Sequence, residues 1–117
     1  MANTFKVVTK ASVSTDSSSP TTLYTVPSST TAVILAILLA NKTTTDVKAT
    51  IILSSDTANS GASQNADVNL LKDVLIAKEN SLEILAGQKY VLQTSDLLKI
   101  YADNANLDIV LSFMEMT

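Results

Sequence analysis

The chain of 117 residues contains no cysteine, histidine or tryptophan, and all eight of its basic residues are lysine. Without cysteine it can form no disulfide framework and offers no thiolate nucleophile. Without histidine it lacks the usual general base near neutral pH and the commonest ligand of transition metals. These absences exclude Ser-His-Asp and Cys-His catalytic sites and zinc sites built on cysteine.

The charge pattern excludes two further classes of partner. The net charge is -3 and the lysines are scattered along the chain, whereas phosphate backbones and anionic lipids are bound by clustered lysine and arginine.

The longest apolar run, Ala32 to Ala40, is shorter than the roughly 20 residues that a membrane-spanning helix needs. The polar N-terminus lacks the apolar segment of a secretory signal. We therefore expect no nucleic-acid partner and no membrane partner.

Paired carboxylates are the remaining candidates for catalysis, because glycoside hydrolysis can proceed with two of them alone. Each pair lies in a turn-like or outward-facing position, as solvated surface charge does, and the chain has no tryptophan on which a sugar could stack. The sequence therefore predicts a protein that is not an enzyme. The pairs are Asp67 with Asp73, Glu79 with Glu83, and Asp103 with Asp108.

The longest polar stretch, Ser54 to Asp67, contains side-chain oxygens of the kind that bind calcium. Asp56, Asn59, Asn65 and Asp67 supply them, but their spacing matches no EF-hand. The two glycines of the chain form no phosphate-binding loop. We predict no metal and no cofactor, and we expect this loop to be either functional or mobile because of its length.

The chain is organised around Leu23 to Asn41, where a short strand ends at Pro27 and a Ser/Thr turn leads into the apolar run. Thr30, Thr31, Val33 and Ile34 are β-branched, which favours a strand over a helix. The sequence Asp46 to Ser54 alternates apolar with polar residues. It predicts a strand that returns as a hairpin with one buried face.

The remaining sequence predicts more short strands at steady spacing, separated by turn residues. At the N-terminus, residues 4–13 alternate, with Phe5 and Val7 on the apolar face and Lys6 and Lys10 on the other, and a Ser/Thr loop follows at residues 14–22. This pattern is typical of an all-β chain folded as an antiparallel β-sandwich or jelly-roll barrel of about eight strands. We expect one domain over residues 1–117, with an N-terminal strand that the loop would allow to exchange with a neighbour.

Five apolar or aromatic side chains are candidates for a contact with another subunit. Tyr101 is the best of the tyrosines, because alternation turns it away from the apolar Ile100 and Ala102, and tyrosine is enriched at interfaces. The C-terminal strand ends in an apolar segment that either joins a sheet or meets a second subunit. The candidates are Tyr24, Tyr101, Phe113, Met114 and Met116.

Characteristic strand and turn residues follow one another along the chain at Tyr24 to Pro27, Asn41, Leu85 to Gly87, Val91 to Leu98, and Asn106 to Ser112. In this order they resemble the small virion structural proteins of tailed bacteriophages. The resemblance spans roughly residues 20 to 117, and it rests on strand and turn residues rather than on reacting groups.

The resemblance implies a non-enzymatic β-sandwich that is built into a virion assembled in the host cytoplasm. Its first form is a capsid decoration or cement protein that binds the major capsid protein, and the alternative is a tail, neck or fibre component that contacts other virion proteins or a host surface. Either form implies a homo-oligomer, and repeated copies on a particle would multiply weak contacts.

Overall fold

The computed structural model describes residues 2–55, 65–85 and 87–117, and the regular structure in these ranges is β-strand. No helix able to span a membrane occurs in them. The strands are β1 (Asn3–Lys10), β2 (Thr21–Thr25), β3 (Thr31–Asn41), β4 (Val47–Ser54), β5 (Val68–Ile76), β6 (Ser81–Glu83), β7 (Tyr90–Leu92), β8 (Leu97–Ala102) and β9 (Leu107–Met116).

The strands form two antiparallel sheets that pack face to face around one core. Sheet I has the order β1-β9-β3, with β6 and β7 both pairing with the far side of β3. Sheet II has the order β2-β8-β4-β5. The predicted antiparallel β-sandwich is confirmed, with nine strands in the described residues where the sequence predicted about eight.

The apolar run predicted as the centre of the core is strand β3. Its buried side chains alternate from Ala32 to Ile34 and again from Ile37 to Leu39, with a β-bulge at Leu35 between the two halves. The bulge shifts the alternation by one residue, so that both halves face sheet II. The preference for strand over helix is thus confirmed, and each of these four side chains is fully buried.

The predicted hairpin between the apolar run and the following strand is wrong. β3 lies in sheet I and β4 in sheet II, so residues 42–46 cross from one sheet to the other instead of joining two neighbours. The alternation of β4 does not show which sheet the strand joins, because a strand buried on one face has the same apolar pattern in either sheet.

Asn41 holds this crossover from inside the protein. Its Nδ2 donates to the backbone oxygens of Thr45 at 2.8 Å and Ile76 at 2.9 Å, and its Oδ1 accepts from the backbone N–H of Thr43 at 2.9 Å. Only 2% of its surface is exposed. The side chain therefore satisfies buried backbone groups at the point where the chain leaves one sheet for the other.

The N-terminal strand lies on its own sandwich in this structure, where β1 pairs with β9 over its whole length. It ends at Lys10, short of the predicted residue 13. The segment that follows packs against the sandwich. Val13 is buried and its backbone N–H donates to the Ala105 oxygen, and Ser14 forms an isolated parallel β-bridge with Tyr101. Exchange of β1 with a neighbour stays a prediction.

Candidate interaction surface

The outer face of sheet I, which points away from sheet II, is largely apolar. Directly opposed residues of antiparallel strands share a face, so the register defines rows of side chains that run across the strands. One row crosses four strands with apolar side chains alone: Phe5, Met114, Val33 and Val91. Phe5 and Val91 at its two ends are 71% and 63% exposed.

The next row forms a groove between bulkier neighbours. It places Ser112 of β9 beside Ala36 of β3, and both side chains are small. Val7 lies at one end of this row and the bulged Leu35 lies across the strand. The result is an apolar groove of about 360 Å³, with Phe5 and Val7 along one wall and Leu35 on the other.

Phe5 and Val7 share the apolar side of the alternation predicted over residues 4–13, and the structure turns that side outward, away from sheet II. The pairing of β1 with β9 fixes this orientation. The buried Leu111 and Phe113 of β9 are paired with Val8 and Lys6 of β1, which therefore lie on the inward face. Phe5 and Val7 alternate with them and point outward. Alternation shows which residues share a face, but it does not show which face is covered. An edge strand can therefore carry its lysines on the inward side.

On the inward face of β1, Lys6 forms an ion pair with the buried carboxylate of Glu115. Glu115 occupies the inward face of β9 with only 6% of its surface exposed. Its Oε1 lies 2.8 Å from the Lys6 ammonium, and its Oε2 accepts a 2.6 Å hydrogen bond from the Tyr24 hydroxyl. This cluster joins β1 and β9 of sheet I to β2 of sheet II.

The cluster changes the protonation of two of its members. The hydrogen bond from Lys6, and then that from Tyr24, hold the pKa of Glu115 below its usual range, although burial opposes them. Burial, reinforced by the hydrogen bond to Glu115, raises the pKa of Tyr24. Glu115 is therefore charged and Tyr24 neutral in the native cluster.

The five candidate residues fall into three environments. Met114 and Met116 lie on the outer face of sheet I, half-buried among their neighbours. Phe113 and Tyr24 are buried between the two sheets, where their rings pack at a centroid distance of 4.2 Å with their planes tilted by 38°. This placement corrects the prediction of Phe113 and Tyr24 as surface candidates, because both are core residues of the folded chain.

Tyr101 lies on the outer face of sheet II, half-exposed, between buried neighbours, as alternation predicts. Its hydroxyl accepts a 3.0 Å hydrogen bond from the Lys72 ammonium, and this bond lowers the pKa of Tyr101. The lysine is also 5.7 Å from the ring centroid. The surroundings of Tyr101 are thus polar and charged, unlike those of Met114, which is paired with Phe5 and Val33.

The opposite pKa shifts predict an ordered alkaline titration. We expect the Tyr101 phenolate to appear first, below the ordinary tyrosine pKa near 10, and the Tyr24 phenolate to appear only well above it. The measurement is absorbance at 295 nm against pH, with Tyr101→Phe and Tyr24→Phe as paired controls. Loss of the early component in Tyr24→Phe instead of Tyr101→Phe would contradict the assignment.

The carboxylates of the described residues form no cluster of three that could hold a metal ion. Of the predicted calcium candidates, Asp56 and Asn59 lie outside the described residues. Asp67 accepts a 2.8 Å hydrogen bond from the Ser54 hydroxyl, and Asn65 donates to the Ser55 hydroxyl at 3.1 Å.

Comparison with known proteins supports the fold and leaves the family open. No protein-family model matches the chain, and no curated protein matches its sequence significantly. Among solved structures, the fold is similar to that of a chain from the Bacillus endospore appendages, described as a novel family of disulfide-linked pili. The match has a TM-score of 0.51 and 9% identity, and it covers 99% of this chain and 87% of the other. At that identity the likeness concerns the fold alone.

Proposed function

We propose that this protein is a non-enzymatic structural subunit of an assembled particle, and that the outer face of sheet I is its contact with neighbouring subunits. The observation that carries the proposal is the exposed apolar row through Phe5, Met114, Val33 and Val91. A soluble monomer rarely leaves a continuous apolar patch of this kind uncovered, and such patches mark protein contacts.

The specific form that we propose is a bacteriophage virion protein that decorates the capsid and binds the major capsid protein. The sequence resemblance to virion structural proteins of tailed bacteriophages supports the virion, and two of its matching residues lie at turns of the chain. Asn41 lies at the crossover, and Asp96 accepts from the Gln93 N–H in a turn.

A fibre, tail or neck component is the second candidate, and one observation favours it. One solved structure with a similar fold comes from the Bacillus endospore appendages, which are described as disulfide-linked pili. That family is described as disulfide-linked, whereas these 117 residues contain no cysteine. If this chain builds a fibre, these residues therefore join it without disulfides.

The copy number of the protein in purified particles tests the proposal and separates its two forms. Quantitative mass spectrometry against the major capsid protein is expected to find on the order of hundreds of copies for a decoration protein, and roughly three to a few tens for a tail or fibre component. Absence of the protein from purified particles, with the chain recovered only as a free protein in the lysate, would contradict both forms.

A further inference from the structure

We infer that the outer face of sheet I docks on the same face of a second copy of this chain, with Phe5 of each copy seated in the groove of the other. The inference rests on the proposed function, because it names the partner of a structural subunit. It follows from three properties of the face: its shape, its charge and its area.

The shape of the face is self-complementary. Phe5 is a protruding apolar ring with 71% of its surface exposed. The groove of about 360 Å³ lies beside it, above Ser112 and against Leu35. Because knob and groove are on one surface, a two-fold axis through the face brings each knob to the other copy's groove, as an isologous contact requires.

Two carboxylates at the margin of the face already have partners within the chain. The Asp108 carboxylate lies 2.8 Å from the Lys42 ammonium. Glu83 accepts hydrogen bonds from the backbone N–H groups of Ile37 and Leu85. These two carboxylates therefore do not call for a basic partner, and apolar interfaces are characteristic of homodimers.

The area of the face limits the strength of a contact between two copies. Four strands at about 4.8 Å spacing and a ten-residue strand at about 3.3 Å per residue give roughly 600 Å² on each copy. A stable interface buries about 800 Å² on each partner. A pair joined through this face alone is therefore expected to be weak, and to become effective where many copies are held together.

The free edge of β1 is a poorer contact for a second copy than the face. Lys6 and Lys10 lie along its inward row, and lysines on an edge strand oppose the addition of another strand. An antiparallel pairing centred on Lys6 would also set the two Lys6 side chains opposite each other, and like charges directly opposite are destabilising. Face-to-face docking leaves each Lys6 beside Glu115 of its own chain.

Sedimentation velocity of the purified chain over a concentration series tests the inference without any particle. We expect the wild type to self-associate as its concentration rises, and Phe5→Asp to weaken the association at least tenfold. Leu75→Asp is the matched control, because Leu75 is a 54% exposed apolar residue of β5 in sheet II. This control is expected to associate as the wild type does.

A second variant keeps the knob and fills the groove. Ser112→Trp is expected to weaken association as Phe5→Asp does, with circular dichroism showing that both variants retain the β-sheet fold. A wild type that stays monomeric at millimolar concentration, equal effects of Phe5→Asp and Leu75→Asp, or unchanged association of folded Ser112→Trp would each overturn the inference. None of these results bears on whether the protein is present in particles, so the proposed function is tested separately.

Discussion

Replacing Asn41 with alanine is expected to lower the free energy of unfolding by about 3 kcal/mol, since each buried polar group left without a partner costs about 1–3 kcal/mol. The lost side chain leaves the backbone oxygen of Ile76 and the N–H of Thr43 without their hydrogen bonds to it. It also leaves a cavity where the chain crosses between sheets. Urea denaturation followed by circular dichroism measures the change.

Two further variants show whether hydrogen bonding at Asn41 is responsible. Asn69→Ala is the matched control, because Asn69 is exposed on β5, and its effect is expected to stay within about 0.5 kcal/mol. Asn41→Asp preserves the shape of the side chain but replaces the NH₂ group that faces carbonyl oxygens with a carboxylate oxygen. We expect this variant to be strongly destabilised at pH 7 and less so at low pH, where the carboxyl group is protonated and can donate. An Asn41→Ala protein as stable as Asn69→Ala would refute the role assigned to the crossover.

Replacing Glu115 with alanine is expected to cost about 2–3 kcal/mol, because it leaves the buried Tyr24 hydroxyl without its acceptor. The Lys6 ammonium loses its ion pair in the same change, and the connection between β1 and the core is weakened. Chemical denaturation gives the free energy. Hydrogen exchange of the β1 amides is expected to speed up more than that of β3.

The pH dependence of this cluster has a defined sign. Because the folded pKa of Glu115 lies below its ordinary value near 4.5, its contribution is present above that value and is lost as the pH falls through the folded pKa. Because the folded pKa of Tyr24 lies above 10, its contribution is present at and below pH 10 and is lost at higher pH. Glu115→Gln is expected to flatten the acid limb of the stability profile. An acid limb identical to that of the wild type would contradict the assignment.

The fold class followed from the sequence because its signals are local. Alternation and β-branching mark β3, β8 and β9, and Pro27 and the polar segments separate them. Sheet membership depends instead on contacts between distant strands. Nothing in the local sequence of residues 42–46 distinguishes a crossover from the hairpin that the alternation predicts. In the structure, the buried amide of Asn41 fixes the crossover.

The interaction surface was only partly predictable for the same reason. The sequence marks Met114 and Met116 as part of an apolar C-terminal end, and it groups Phe5 with Val7 on one face of the first strand. Alternation alone does not show that this face is the exposed one. One signal was present: Glu115 continues the buried row of Leu111 and Phe113. A carboxylate in such a row needs a cation nearby, and Lys6 is two residues from the position opposite Glu115 in β1. A Lys6–Glu115 pair places Lys6 on the inward face of β1, and its neighbour Phe5 therefore on the outward face.

Hydroxyl-radical footprinting of the free chain and of the assembled particle, read by mass spectrometry, tests most directly whether the outer face of sheet I is the assembly contact. We expect Phe5, Met114 and Met116 to become protected on assembly, while Leu75 and Tyr101 on sheet II keep the reactivity that they have in the free chain. Unchanged reactivity of Phe5 and Met114, with protection at Leu75 and Tyr101, would show that the particle is built through the other sheet.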